Sequence, residues 1–194
     1  MNTDKTRWPF LARGFQFLAF SLLLSACTSV LPQPQADTTR HFTLAGPPGT
    51  AAVSDGTRVQ PVQVAGYLRN RSMAVRVAEN EVIYLDDVVW AEPLADGITQ
   101  TLRNRLAVIA SDADVSVQVQ RCELDRSAGN IVQLIAAYSI TTGGSAGPVT
   151  KRGLFTASTR TWDGKDHGAL VGLLREAVGE LADRLVLQLA EKTR

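Results

Sequence analysis

The sequence predicts an α/β domain in which a mixed, largely antiparallel sheet packs against two main amphipathic helices. Three observations predict it. Val115, Val117 and Val119 alternate with Ser116, Gln118 and Gln120, the period of a strand with one covered and one polar face. Leu94, Ile98, Leu102, Leu106 and Ile109 recur every three or four residues, and a broader stripe of the same period runs through the C-terminal stretch. The remaining apolar runs are short and separated by turn-like segments, the spacing of hairpins.

The N-terminus is expected to be a leader rather than part of this domain. Lys5, Arg7 and Arg13 precede a mostly apolar run from Phe15 to Leu24, followed by Leu24-Ser25-Ala26-Cys27. This is a charged region, a short apolar region and a small-residue cleavage site. The run falls short of the roughly 20 apolar residues that a comfortable membrane span needs. Ser25 and Ala26 suit a narrow peptidase pocket, Leu24 supplies an apolar contact before them, and the thiol of Cys27 stands where lipidation requires it. The expected organisation is a lipoprotein signal peptide over residues 1–26, a lipidated Cys27 with a flexible tether over 27–39, and one domain over 40–194. Thr28 rather than Asp follows Cys27, so outer-membrane delivery is the default and the anchored chain faces the periplasm. The tether, with Pro32, Pro34 and small polar residues, would reach roughly 40 Å when extended.

Within the domain, His41-Phe42-Thr43-Leu44 is a short strand and Ala45 to Thr57 a Gly- and Pro-rich loop. Val59, Val62 and Val64 make a second strand, which Pro61 confines to an edge or a start. Gly66 to Ser72 is a polar turn. Met73 to Val77 and Val82 to Leu85 form a hairpin that the acidic pair Asp86-Asp87 ends. Ala91 to Ile109 is the first helix, with Pro93 compatible with its first turn. Strands at Val115 to Val119, Ile131 to Ile140 and Leu154 to Trp162 would form an antiparallel meander. A helix from Asp166 to Lys192 closes the chain, with Asp166 as N-cap and Trp162 shielding its start. Cys122, without a partner once Cys27 is lipidated, is read as a packing residue at a strand end.

Several functions find little support in the composition. Removing the leader takes the formal charge from +1 to −1, and no basic stripe survives, so no nucleic-acid partner is expected. His41 and His167 lack metal-ligand spacing, and no Gly-x-Ser-x-Gly elbow is present. Gly143 to Gly147 lacks the Lys and Ser or Thr of a phosphate cradle and reads as a hairpin loop. No catalytic residues, metal or cofactor are therefore expected. The most distinctive string is Trp90-Ala91-Glu92-Pro93-Leu94. A bulky aromatic before a helix packs its entry onto the sheet, and contact with a partner is the other role open to Trp90, Glu92 and Pro93.

The whole pattern resembles the ABC-type transport auxiliary lipoproteins. The residues that carry the resemblance are Phe42-Thr43-Leu44, Val59-Gln60-Pro61-Val62 to Tyr67-Leu68, Met73-Ala74-Val75-Arg76, and Ile83-Tyr84 leading into Trp90-Ala91-Glu92-Pro93-Leu94. The resemblance implies a two-layer or three-layer domain similar to the N-terminal domain of TolB. It also implies a role beside an MCE-family periplasmic protein and its ABC permease complex, which move lipids or other hydrophobic molecules across the periplasm. The expected protein is then a non-catalytic, lipid-anchored subunit at the outer membrane, with a homo-oligomer as an accompanying expectation. The alternative is a lipid-binding or assembly-scaffold lipoprotein of another envelope complex.

Overall fold

The alternating valines in the middle of the chain lie in the longest described strand, and the rest of the domain is arranged around it. The structure is a computed structural model that describes residues 36–46, 56–109, 111–144 and 147–190. The expected leader, Cys27 and the expected tether up to residue 35 lie outside the described residues. Thr38–Arg194 forms one unit.

In chain order the elements are β1 (Arg40–Phe42), β2 (Thr57–Val59), β3 (Gln63–Val64), a 3-10 turn (Gly66–Arg69), β4 (Ser72–Ala78), β5 (Glu81–Trp90), α1 (Leu94–Leu106), β6 (Ala113–Asp125), β7 (Ile131–Thr142), β8 (Val149–Thr156), β9 (Arg160–Thr161) and α2 (His167–Ala190). The sheet runs β1-β5-β4-β6-β7-β8, with β2 and β3 also paired to β6 and β9 to β7. The β4–β5 and β6–β7–β8 pairings are antiparallel; β1 on β5, and β2, β3 and β4 on β6, are parallel. The expected mixed, largely antiparallel sheet with two helices is therefore what the chain forms.

Both helices pack on one face of the sheet, which makes two layers. Leu94, Ile98, Leu102 and Leu106 of α1 and Leu170, Leu174, Val178, Leu181 and Leu185 of α2 are buried against Val115, Val117, Val119, Leu134 and Ala136. Each of these leucine, isoleucine and valine side chains contributes about 1.5–3 kcal/mol of burial. Asp166 caps α2, its two carboxylate oxygens accepting from the Gly168 and Ala169 N–H groups at 3.0 and 3.1 Å. Trp162 is buried and donates its indole N–H to the Asp166 carbonyl at 2.9 Å, holding the helix start as expected.

The structure differs from the sequence reading at three strands. The Val59 to Val64 run divides into β2 and β3, because Pro61 has no N–H to give to the ladder. Val62 instead donates to Thr99 Oγ1 on α1 at 2.9 Å. The Leu154 to Trp162 strand starts earlier, at Val149, and is interrupted between Thr156 and Arg160. Asp86 and Asp87 do not end a strand: β5 continues to Trp90, because its last residues pair with β1. The acidic pair does interrupt the other pairing, since Ser72 opposes Val89 while Ala74 opposes Tyr84. Both aspartates are exposed where β5 departs from β4.

Candidate functional site

The string singled out before the first helix folds as a tight joint. Trp90 is 3% exposed, buried with the core. Its backbone N–H donates to the Arg71 carbonyl at 2.7 Å, and the next N–H, of Ala91, donates to the Phe42 carbonyl at 2.8 Å. Of the three residues considered for partner contact, Trp90 is thus corrected to a core residue, because its ring fills the space between sheet and helix. Glu92 is half-buried and Pro93 exposed. Gly97 explains how the joint closes: a Cβ there would lie 3.0 Å from Glu92 Oε1 and 3.1 Å from Leu44 Cβ. Glu92 Oε1 is buried without a hydrogen-bond partner, in the space this glycine leaves. Arg175 of α2 fastens the other side, donating to the Leu44 and Thr43 carbonyls at 2.9 and 3.2 Å.

A second cluster, on the face of the sheet that the helices leave uncovered, was not singled out by sequence. It owes its position to one irregularity. The register of β6 on β7 shifts between Val119 and Arg121, leaving Gln120 as an extra residue. An extra residue reverses the alternation that follows it. Before the shift the odd-numbered valines face the helices; after it Cys122 and Leu124 do, opposite Leu134 and Val132. Arg121, Glu123 and Asp125 are thereby turned to the uncovered face.

There Glu123, with a side chain 0% exposed, accepts through Oε1 from Arg76 Nε at 2.7 Å and from Arg121 Nε at 2.9 Å. Arg121 reaches on to Asp125 at 3.0 Å, and Asp125 also accepts from Ser127 Oγ and the Ala128 N–H. Burial raises the Asp125 carboxyl, but those hydrogen bonds and Arg121 outweigh it and hold it below its ordinary range. The 3-10 turn lays the Tyr67 ring beside the Arg76 guanidinium, 5.9 Å from its centroid. Burial, then the neighbouring Glu123, push the Tyr67 phenol upward. Two cations and two anions balance, so this cluster ties β4 to β6 at the point where only two residues of each strand pair. Its remaining oddity is Glu123 Oε2, which is buried and has no hydrogen-bond partner.

The other residues weighed for chemistry stay apart. His41 is exposed on β1, while His167 lies against Trp162 with ring centroids 5.4 Å apart. Cys122 is buried as expected, and burial pushes its thiol up to about 12. Among the described residues, no three His, Cys, Asp or Glu side chains are grouped to hold a metal ion. No described helix is long and apolar enough to cross a membrane. What the geometry offers is an α/β platform with a polar, uncovered sheet face.

Comparison with known proteins agrees with the fold and adds a family. The family model described as ABC-type transport auxiliary lipoprotein component matches residues 42–186. No curated protein matches the chain. Among solved structures, protein XCC0632 from Xanthomonas campestris, of family DUF330, is similar at 17% identity with a TM-score of 0.59, covering 80% of this chain and 94% of its own. A crystal structure of an uncharacterized protein is similar at 11% identity with a TM-score of 0.59, covering 77% of this chain and 97% of its own. At such identities the likeness is one of fold.

Proposed function

Because the chain belongs to the ABC-type transport auxiliary lipoprotein component family, we propose that it is a non-catalytic, lipid-anchored subunit of an MCE-type transport system that moves lipids or other hydrophobic molecules across the periplasm. The observation that carries this reading is the family match, which runs from the end of β1 to Val186 in α2 and so takes in all of the described core but Leu189. In this reading Cys27 bears the acyl chains, the tether leads from the outer membrane, and the platform meets the periplasmic MCE protein of an ABC permease complex. The packing is in keeping with a docking rather than a carrying role. Apolar side chains of α1 and α2 pack against β6 and β7, and the hollow lined by Ser116, Ser139 and Arg152 and that lined by Arg105, Arg160 and Glu180 both open on the surface.

The test is recovery of the acylated protein from envelope membranes in gentle detergent, with the co-purifying proteins identified by mass spectrometry. The expected result is an MCE protein together with its permease and ATPase. Recovery of a different envelope complex would move the assignment to a scaffold lipoprotein of that complex. Loss of the interaction in a Cys27→Ser protein would show that anchoring contributes to assembly.

A further inference from the structure

We propose that the free edge of β8 is a docking site that takes up an extended segment of a partner protein as an additional strand, one that alternates carboxylate and apolar side chains. Among the described residues β8 pairs only with β7, over its full length from Val149 to Thr156. Its other edge therefore presents the backbone N–H and C=O groups of every second residue along a strand of eight. Proteins usually blunt such an edge with short length, proline, bulges or charged side chains, lysine above all, and of these β8 carries only charge, at Lys151 and Arg152. β8 is long for an edge strand and holds no proline, and its pairing to β7 runs without a register shift.

The two faces beside this edge differ, and a strand added there would send alternate side chains to each. On the uncovered face, Arg152 opposes Ser139, which opposes Ser116. These residues, with Gln60 and Gln118, line an open cleft of about 350 Å³. Arg152 is exposed, and its guanidinium has no carboxylate partner among the described residues. Leu154 follows it on that face and is 64% exposed. On the helix side, Ile140, Val149, Lys151 and Leu189 border a hollow of about 220 Å³ whose exposed wall is mostly apolar, and Val149 is 53% exposed.

Charge complementarity selects the occupant. β8 contains Lys151 and Arg152 and no acidic residue. A second β8 laid against it would bring another Arg152 to the uncovered face, whereas a strand bearing carboxylates would neutralise the guanidinium. Such a strand would place its acidic side chains over the Arg152 cleft and its apolar ones toward Val149 and Leu189. Main-chain hydrogen bonds would supply affinity, and the two hollows specificity. The inference concerns how a partner is held, and stands whichever transport system the protein serves.

The experiment uses the protein with Cys27→Ser and a fluorescent peptide alternating glutamate and valine, followed by anisotropy. Two control peptides replace glutamate by lysine or carry N-methyl groups on alternate amides. The expected result is binding of the acidic peptide, roughly tenfold weaker binding of the lysine peptide, and loss of binding on N-methylation. Arg152→Glu, an exposed site, should leave the thermal midpoint in place while reversing the preference toward lysine. Equal binding of the N-methylated peptide, an unchanged preference in Arg152→Glu, or no binding at all would overturn the proposal. So would a dimer in sedimentation that Leu154→Lys dissociates, because the edge would then belong to a second copy.

Discussion

Arg76 donates a 2.7 Å hydrogen bond from Nε to Glu123 Oε1, and the carboxylate that receives it is wholly buried on the sheet face that no helix covers. A buried carboxylate without its cation is costly, and breaking such a pair by removing one partner commonly destabilises by 3–5 kcal/mol. Here Arg121 still reaches the same oxygen, so Arg76→Ala is expected to cost about 2–3 kcal/mol. Equilibrium unfolding in urea measures it. A loss below about 0.5 kcal/mol would mean that water replaces the guanidinium and that the pair has no structural weight.

A pH dependence follows from Glu180. Its carboxylate accepts from Arg160, first among the causes, and from the Ser158 N–H at 2.8 Å, and these hold its pKa below the ordinary carboxylate value. A group whose folded pKa is depressed contributes stability that is present above its unfolded pKa, about 4.3, and is lost as pH falls through the folded value. Asp125 and Asp166 are depressed as well and act in the same direction. Stability is therefore expected to fall with acidification below about pH 4. Glu180→Gln should lower the neutral-pH stability and flatten this acid limb, as followed by thermal unfolding across a pH series. A variant curve parallel to that of the parent would remove Glu180 from the account.

Cys122 should behave as an inert thiol. Burial holds it largely protonated at neutral pH, and only the thiolate reacts readily. With Cys27→Ser it is the one thiol of the chain. The expected outcome is negligible modification by maleimide in buffer and complete modification in denaturant. Between these limits the rate should follow the opening equilibrium of the β6–β7 core. Rapid labelling of the native protein would show that this part of the sheet opens locally.

How far the sequence carries is visible along β6 itself. The valines at 115, 117 and 119 declare a strand and its covered face, and α1 and α2 are equally plain from their leucine spacing. Past Val119 the same alternation would place Arg121, Glu123 and Asp125 in the core. Nothing in the composition of Gln120 announces the extra residue that turns them outward. The charged cluster was therefore illegible, because it depends on a pairing irregularity rather than on a motif. Asp86-Asp87 misled for a related reason: two acids suggest a strand end, but pairing of Val88 to Trp90 with β1, far away in sequence, carries β5 onward. Trp90 was legible as a packing residue. Its burial removes it from the surface that a partner could touch, leaving Pro93 the exposed member of the trio.

The pairing of Tyr138 with Gly153 offers a sharp test of the β7–β8 arrangement. They are register partners, and a Cβ built on Gly153 would lie 2.5 Å from both Cζ and Oη of Tyr138. The aromatic ring thus lies across the glycine, and the site cannot take a methyl group without moving it. Because Tyr138 is buried, the ring has little freedom to shift. Overpacking of this kind costs about 1–3 kcal/mol, and Gly153→Ala is expected to destabilise by that amount even though alanine is otherwise acceptable in a strand. Tyr138→Leu removes the ring and has its own cost through lost burial. In the double variant the leucine leaves room for the new methyl, so its destabilisation should be smaller than the sum of the two single effects by at least about 1 kcal/mol. Urea midpoints for the four proteins complete the cycle. Strict additivity would show that the ring and the glycine do not meet in solution, and with that the close β7–β8 register, on which the exposed edge of β8 depends, would have to be redrawn.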